Sequence, residues 1–209
     1  MQYDIGVINY GIGNVNSIAN ILQKLGINFV VITKASEIRN CKSLILPGVG
    51  SFDAAMKKLV GGNWIEPLNE FAKVERKPLL GICLGMQLLT KKSQEGKERG
   101  LGFIDAKTVL FNKDKMIDEV RIPHMSWNLI NTEKDNKLFD TLIEQKFYFV
   151  HSYHVVCKEI QDVLTTTNYG YSFASSFSRG NIIGVQFHPE KSHHFGYNFF
   201  KNFIKEYVD

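Results

Sequence analysis

Short apolar runs that alternate with helical segments are the feature of this sequence that most restricts its fold. Residues 3–9, 29–32, 43–46 and 77–82 are rich in Ile, Leu and Val, and the apolar positions of residues 15–25 follow helical spacing. Continuous apolar strands belong to parallel sheets, whose crossover helices cover both faces. The first half of the chain therefore predicts an α/β fold. Asn14 is predicted to cap the helix at 15–25, and further helical segments are predicted at 52–60, 65–75 and 84–91.

The second half has a different pattern, in which β-rich runs are separated by turn signals. Arg179-Gly180-Asn181 predicts a hairpin turn, and a last helix is predicted at about 195–208. No repeat, linker or low-complexity tract divides the chain, so we expect one domain over residues 1–209 with a mixed sheet. The β-rich runs are 102–110, 117–122, 147–153, 162–168, 171–178 and 181–187.

Charge, cysteine content and hydropathy exclude several classes of function. The 209-residue chain has a net charge of +4, with lysines at most in pairs among acids, which argues against a nucleic-acid binder. Cys41, Cys83 and Cys157 are too few for a disulfide framework or a four-ligand zinc site, so no metal is expected. The longest uncharged apolar stretch, 79–89, is about half of a membrane span, and the N-terminus lacks the basic region of a signal peptide. We expect a cytoplasmic protein without a membrane partner.

Gly81-Ile82-Cys83-Leu84-Gly85 carries the sharpest indication of chemistry. A predicted strand enters the segment and a predicted helix leaves it, and the two glycines allow the backbone to turn sharply, as in the G-x-S-x-G nucleophile elbow. A thiol at a helix N-terminus favours the thiolate, and the N–H group of Leu84 could donate to an oxyanion. The alternative interpretation is a small buried cysteine at a strand end.

A thiolate nucleophile needs a base, and the base needs a group that orients it. His188-Pro189-Glu190 follows an apolar strand, and Pro189 favours an extended conformation of His188. Alternate residues of an extended segment face the same side. Glu190 could therefore hold one ring nitrogen of His188 while the other faces Cys83. Taken alone, such a tripeptide is more often a surface turn.

Together the two motifs, residues 81–87 and 184–192, resemble the triad-type class I glutamine amidotransferases. Residues 47–52 resemble the oxyanion loop of that family. The motifs cover nearly the whole chain and imply a flavodoxin-like three-layer α/β fold with a mixed, mostly parallel sheet. Three more segments narrow the resemblance to the glutaminase subunits of imidazole glycerol phosphate synthases: 9–14, 122–128 and 147–153.

The resemblance implies that Cys83, His188 and Glu190 form a triad that hydrolyses L-glutamine. The thiolate would form a γ-glutamyl thioester while His188 protonates the departing ammonia, and water activated by the same histidine would then release glutamate. The ammonia would pass to a (β/α)8-barrel cyclase, docked as the partner in a heterodimer. No cofactor is implied.

The resemblance also assigns roles outside the triad. The backbone donors of the oxyanion hole would be Gly48, Val49, Gly50 and Leu84. Substrate glutamine would be held by Gln87, beside His151, Ser152 and Tyr153. The partner interface or the ammonia exit would involve Asn14, Trp127, Tyr148 and Lys191.

Two departures from the family's pattern bear on the partner. Ser126 stands where Gly is usual, and His193-His194 stand where a small residue is common. These departures leave open the alternative that the protein is a paralogous subunit, which supplies ammonia to a barrel-type partner in surface-sugar biosynthesis. An alternative of another class is a non-catalytic binding module on the same fold.

Two further patterns do not indicate a cofactor or a metal. Gly11 and Gly13 follow the first strand, but Asn16 occupies the position of the third glycine of a dinucleotide fingerprint. His151 and His154 lie three apart in a predicted strand, so they are expected to point to opposite faces and not to share a metal. Cys41 and Cys157 are expected to be structural or incidental.

Overall fold

A mixed β-sheet organises the fold, in a computed structural model that describes residues 2–117, 120–140 and 143–208. The described strands are β1 (Tyr3–Ile8), β2 (Phe29–Ile32), β3 (Cys41–Gly48), β4 (Leu79–Cys83), β5 (Ala106–Leu110), β6 (His124–Thr132), β7 (Gln145–His151), β8 (Tyr153–Cys157), β9 (Val163–Asn168), β10 (Ser172–Arg179) and β11 (Ile182–Val185). The α-helices are α1 (Val15–Lys24), α2 (Phe52–Gly61), α3 (Ile65–Asn69), α4 (Leu84–Leu88) and α5 (His193–Tyr207).

The strand order is β2-β1-β3-β4-β11-β10-β9-β6-β7, with β8 pairing to both β5 and β10. The pairs from β2 to β11 are parallel, and those from β11 onwards are antiparallel. The predicted α/β fold with a mixed sheet is therefore confirmed, but the sheet is not mostly parallel, because among the described strands four pairs are parallel and six are antiparallel. Its parallel part comes from the continuously apolar strands, because strands buried on both faces need apolar side chains in both directions.

Helices cover the parallel part of the sheet on both faces, which gives three layers. Successive side chains of a strand point to opposite faces, and β3 shows the consequence. Leu44 and Leu46 pack in the hydrophobic cluster that contains Phe52 of α2. Ile45 packs in the other cluster, with Ile18 of α1 and the phenylalanines of α5. The apolar sequence of β3 is thus explained by burial on both sides.

The antiparallel half differs from the prediction in several places. The run 102–110 is a strand only from Ala106, and β8 lies outside the predicted runs except for Tyr153. The predicted β-rich run 117–122 is wrong for residues 117 and 120–122, which are irregular, while 118–119 lie outside the described residues. The strand β6 was not predicted, because of its nine residues only His124 and Ile130 are buried, which leaves no apolar alternation to detect. Hydrogen bonding to β7 and β9, and not an apolar face, makes this segment a strand.

The C-terminal part follows the prediction more closely. Arg179 pairs with Ile182, so Gly180 and Asn181 form the predicted hairpin turn, and Gly180 has the positive φ of +61° that such turns require. The final helix α5 has 15 residues and begins two residues before the predicted start. Within the described ranges, no helix is long and apolar enough to cross a membrane.

Candidate active site

The Cys83 elbow lies at the carboxyl edge of the parallel strands, where open α/β sheets bind ligands. Cys83 ends β4 beside Gly48 of β3, and has φ +54°, a left-handed value that stores strain in a residue with a side chain. A Cβ on Gly81 would lie 2.7 Å from the carbonyl oxygen of Gly85, and one on Gly85 would collide with the carbonyl oxygen of Leu46. The two glycines are therefore required by the close approach of strand and helix.

His188 and Glu190 form a buried pair next to this elbow. The Nδ1 atom of His188 lies 2.8 Å from Oε1 of Glu190, and the two side chains are 2% and 1% exposed. Two backbone contacts position the histidine: its N–H donates to the carbonyl of Tyr148 at 2.9 Å, and its carbonyl accepts from the Ser192 hydroxyl at 2.6 Å. The extended conformation predicted for His188 is present, with φ −100° and ψ 92°.

The electrostatics of His188 favour its protonated form. Burial lowers its pKa, but the negative charge of Cys83 beside the ring and the hydrogen bond and charge of Glu190 outweigh burial and raise the pKa to about 10. Nε2 of His188 makes no hydrogen bond with any residue in the described part of the chain. The arrangement can therefore hold a proton beside the thiol and transfer it to a group that enters the cavity.

A cavity of about 300 Å³ brings Cys83 and His188 together with all four predicted substrate-site residues. Glu190 lies behind His188, and Gly48 ends β3 against Leu84 and Gly85, so neither lines the cavity. Glu95, Pro123 and Val150 line it without having been predicted, and no local sequence pattern marks them. The lining residues are Val49, Gly50, Cys83, Leu84, Gln87, Glu95, Pro123, Val150, His151, Ser152, Tyr153 and His188.

A pair of glutamines connects the wall of this cavity to the thiol. Nε2 of Gln87 donates to the carbonyl of Tyr153 and to Oε1 of Gln186, both at 3.1 Å. Nε2 of Gln186 lies 3.8 Å from Sγ of Cys83. Gln186 was missed, although it precedes His188 by two residues in an extended segment, and the alternation of side chains could have indicated it. Gln87 thus shapes the cavity partly through other protein groups.

The loop that contains Val49 and Gly50 is held at its start. The hydroxyl of Tyr10, which is buried, donates to the carbonyl of Pro47 at 3.0 Å. Burial and the charge of Cys83 raise the pKa of this hydroxyl, so it remains a donor. Val49 is 42% exposed and Gly50 has φ +87°. The loop therefore begins at a fixed point and continues as an exposed segment beside the thiol.

Contrary to the prediction, His151 and His154 do not point to opposite faces. Both rings pack against Phe111, with centroid distances of 5.3 and 4.8 Å. The prediction was wrong because the strand is interrupted at Ser152, which separates β7 from β8 and resets the alternation. Burial lowers the pKa of His151 well below its usual value and that of His154 to about 4. Among the described residues, no group of three or more His, Cys, Asp or Glu could hold a metal ion.

Three of the residues assigned to a partner interface lie together. Trp127 and Tyr148 are cross-strand neighbours with ring centroids 6.1 Å apart, and Nζ of Lys191 lies 5.9 Å from the centroid of the Tyr148 ring. His193 stacks on Trp127 at 5.2 Å with an interplanar angle of 2°. Its φ of +48° is a value that glycine adopts more easily than any residue with a side chain.

Asn14 differs from the prediction that it caps α1. It precedes the helix, but its side chain makes no cap hydrogen bond. Instead its Oδ1 accepts from the hydroxyl of Ser17 at 2.9 Å, and its Nδ2 donates to Oε1 of Glu190 at 3.3 Å. The Ser17 hydroxyl thus occupies the oxygen that would cap the helix, while the carboxylate of Glu190 holds the amide nitrogen. Asn14 therefore contacts the His188–Glu190 pair directly.

Known proteins resemble this chain along nearly all of its length. The family described as glutamine amidotransferase class-I matches residues 6–207. Imidazole glycerol phosphate synthase subunit HisH 2 of Methanococcus maripaludis is 50% identical over 97% of this chain and 99% of the relative. The protein of the same name from Pseudomonas aeruginosa is 43% identical, over 96% and 98%. The solved structure of PurLQS from Thermotoga maritima has a TM-score of 0.73 at 17% identity, with 99% of each chain covered.

Proposed function

The chain belongs to the class I glutamine amidotransferases, and on that premise we propose that it is the glutaminase subunit of an imidazole glycerol phosphate synthase. The observation that carries the proposal is the buried His188–Glu190 pair at the cavity that also contains Cys83. Nucleophile, base and orienting carboxylate are the three parts that such chemistry needs. The histidine-biosynthetic role follows the relatives, which carry the name of that subunit.

The proposed reaction begins with attack of the Cys83 thiolate on the side-chain carboxamide of L-glutamine. Backbone N–H groups of Leu84 and of the loop 48–50 would stabilise the oxyanion. His188 gives its proton to the nitrogen as the C–N bond breaks, which releases ammonia and leaves a γ-glutamyl thioester. The neutral histidine then takes a proton from water, whose oxygen attacks the thioester, and glutamate leaves as the thiol is restored.

Release of ammonia into bulk water would lose it by protonation, so the proposal includes a docked partner. The cluster of Trp127, Tyr148 and Lys191 supports this, because two half-exposed aromatic rings and an exposed cation lie together. They lie beside His188, whose N–H donates to the carbonyl of Tyr148 in β7. We assign the partner as a (β/α)8-barrel cyclase and the assembly as a heterodimer with an ammonia channel. Asn14 would join this face to Glu190.

The remaining expectations fit the same proposal. One sheet connects β2 near the start of the chain to β7 and β11, which supports residues 1–209 as one amidotransferase domain. Cys41, Cys83 and Cys157 are free, as is usual in a reducing compartment, which supports a cytoplasmic location. The chemistry needs no cofactor beyond the residues already named.

Replacement of the nucleophile tests the proposal directly. In Cys83→Ala, release of glutamate from glutamine should be abolished, while the partner should still form product from added ammonium salts. Cys157→Ala is the matched control, because that cysteine lies in β8 outside the cavity and should leave glutamate release unchanged. Residual glutaminase activity in Cys83→Ala would contradict the assignment of the nucleophile.

A glutamine-mimicking chloroketone separates the enzyme from a non-catalytic binding module. The reagent should alkylate Cys83 selectively, with one adduct located by mass spectrometry of peptides. The absence of an adduct, with and without the partner, would favour the binding module. Activity of the isolated chain should be weak and strongly stimulated by the partner, whereas full activity alone would indicate a free-standing hydrolase.

A paralogous subunit for surface-sugar biosynthesis is a second candidate, because the departures from the family's pattern lie at one surface. Ser126 is adjacent to Trp127, and His193 stacks on Trp127. Co-purification of the partner from native extract distinguishes the two. Formation of imidazole glycerol phosphate from glutamine and the phosphoribulosyl-formimino ribonucleotide would support the histidine role, and a sugar-modifying partner would support the paralogue.

A further inference from the structure

A buried pair of histidines connects β6 and β7 at the wall of the glutamine cavity. Nδ1 of His124 lies 3.1 Å from Nε2 of His151, and the two residues are 0% and 6% exposed. His151 lines the cavity, whereas His124 does not. The proposed triad chemistry has no role for His124, although a polar side chain with no exposure needs its hydrogen bonds satisfied.

The hydrogen bonds determine which nitrogen of His151 carries the proton. Nδ1 of His151 lies 2.8 Å from the carbonyl oxygen of Tyr153, and a carbonyl only accepts, so this nitrogen must be the donor. Burial holds the pKa of His151 well below its usual value, so the ring is neutral. Its Nε2 is then an acceptor, and the proton shared with His124 must belong to His124.

His124 is therefore a neutral ring protonated at Nδ1. Burial lowers its pKa to about 4, which keeps its Nε2 free to accept. The amide of Asn128 lies 3.5 Å from that Nε2, at the limit of a hydrogen bond. Asn128 is oriented by two other bonds, since its Oδ1 accepts from the N–H of Leu129 at 2.8 Å and its Nδ2 donates to the carbonyl of Asn168 at 2.9 Å. Donation thus runs from Asn128 through His124 and His151 to Tyr153.

The Tyr153 carbonyl, which ends this series of hydrogen bonds, belongs to the substrate cavity. Gln87 donates to the same oxygen of Tyr153 at 3.1 Å, and its other bond leads to Gln186, which faces the Cys83 thiol. If His151 lost its donor, its ring could take the other tautomer and place a lone pair against the Tyr153 carbonyl. The carbonyl and Gln87 would then lose the geometry that shapes the cavity.

We propose that His124 is a positioning residue for glutamine binding, which fixes the tautomer of His151 and through it the Tyr153 carbonyl and Gln87. This inference rests on the proposed glutaminase function and assigns a residue that does not touch the substrate. A purely structural role would require only the packing of the ring, which stacks between Phe149 at 4.8 Å and Tyr169 at 3.9 Å.

Two substitutions separate the proton from the packing. His124→Phe keeps an aromatic ring between Phe149 and Tyr169 and removes the donor. His124→Asn loses the ring, but its amide nitrogen can donate from nearly the position of Nδ1. His154→Phe is the matched control, since His154 is also a buried neutral histidine that packs on Phe111, while it lies outside the glutamine cavity.

The experiment measures chloroketone inactivation of the full-length chain at increasing reagent concentration, together with KM and kcat for glutamine. His124→Phe should raise both the half-saturating chloroketone concentration and KM by about tenfold, which is the effect of losing one buried hydrogen bond. The value of kcat should change far less. Its rate of alkylation by iodoacetamide, which needs no glutamine recognition, should match the wild type. His124→Asn should restore KM despite a lower thermal midpoint, and His154→Phe should leave KM unchanged.

Nitrogen NMR of the histidine rings supplies a readout that does not depend on activity. The wild type should show His151 protonated at Nδ1 and His124 protonated at Nδ1, and His124→Phe should convert His151 to a mixture of tautomers. An Nε2-protonated His151 in the wild type, or equal effects of His124→Phe and His154→Phe on KM, would overturn the inference. Failure of the proposed function would look different, as a wild type that neither releases glutamate nor is labelled at Cys83.

Discussion

Replacement of Glu190 by Gln should reduce catalysis through the pKa of His188. The pKa of this histidine is raised from 6.5 to about 10, which corresponds to about 5 kcal/mol in favour of the imidazolium. Cys83 contributes more to this shift than Glu190, and the hydrogen bond from Nδ1 would persist, so removal of the carboxylate charge should withdraw only a part of it, on the order of 1 kcal/mol. Gln has the same shape as Glu, and its amide oxygen can still accept from Nδ1, so the geometry should persist.

A loss of about 1 kcal/mol corresponds to about a fivefold lower kcat, because the carboxylate no longer stabilises the positive charge of His188 beside the attacking thiolate of Cys83. KM should change by less than about threefold, since Glu190 does not line the cavity. The assay is glutamate release at saturating glutamine, with the partner present. NMR of the His188 ring should show its pKa lowered by about 0.7 unit.

The free energy of unfolding should also depend on the pKa of His188, and this contribution should decrease as the pH rises. Because the folded pKa of His188 lies above its unfolded value, its stabilising contribution is complete below pH 6.5 and is lost as the pH rises towards about 10. Urea denaturation should therefore show a smaller loss of stability over this window in Glu190→Gln than in the wild type.

Asp162→Asn is the matched control for the loss of a buried carboxylate. Asp162 is 5% exposed, lies 3.7 Å from a guanidinium nitrogen of Arg179 and is outside the cavity. It should leave kcat unchanged. A normal kcat in Glu190→Gln, or an equal loss in both variants, would refute the reasoning that the carboxylate acts through the charge of His188.

Two other predictions concern stability. Gly85→Ala should destabilise the fold by at least about 3 kcal/mol in urea denaturation, because its Cβ would collide with the backbone of Leu46. The control is Gly61→Ala, whose Cβ would meet no atom within 4 Å, and it should be neutral or stabilising by up to about 1 kcal/mol. Equal losses of stability in the two variants would contradict this explanation. Acidification should also destabilise the protein, because the pKa values of His124 and His154 are about 4 when folded and 6.5 when unfolded. The free energy of unfolding should fall by about 2 kcal/mol per buried histidine between pH 7.5 and 5. His154→Phe should show a shallower dependence, and an unchanged one would mean that His154 is not buried in its neutral form.

Local patterns predicted the parts of the site that depend on neighbouring residues. The spacing of Gly81, Cys83 and Gly85 predicted the elbow, because a sharp turn between strand and helix leaves no room for a side chain at either glycine. Apolar runs predicted the parallel strands, because burial on both faces demands apolar side chains at every position. The extended conformation of His188 followed from the proline after it.

Contacts between distant segments were not predictable in this way. The strand β6 has almost no apolar face, and its place in the sheet comes from pairing with β7 and β9. Asn14 was predicted as a helix cap, whereas the fold brings it to Glu190, 176 positions away. The interruption at Ser152 brings His151 and His154 to the same aromatic ring, against the alternation that a continuous strand would impose.

The amino-acid sequence by itself determined the α/β class, the nucleophile elbow and the pairing of a histidine with a carboxylate two residues later. These depend on the chirality, spacing and burial of residues close in the chain. Only the tertiary structure decided the register that sets His124 opposite His151, and with it the direction in which a buried proton is donated. The physical reason is that a tautomer depends on the acceptor facing each ring nitrogen, and those acceptors come from strands whose positions in the chain do not reveal their adjacency in space.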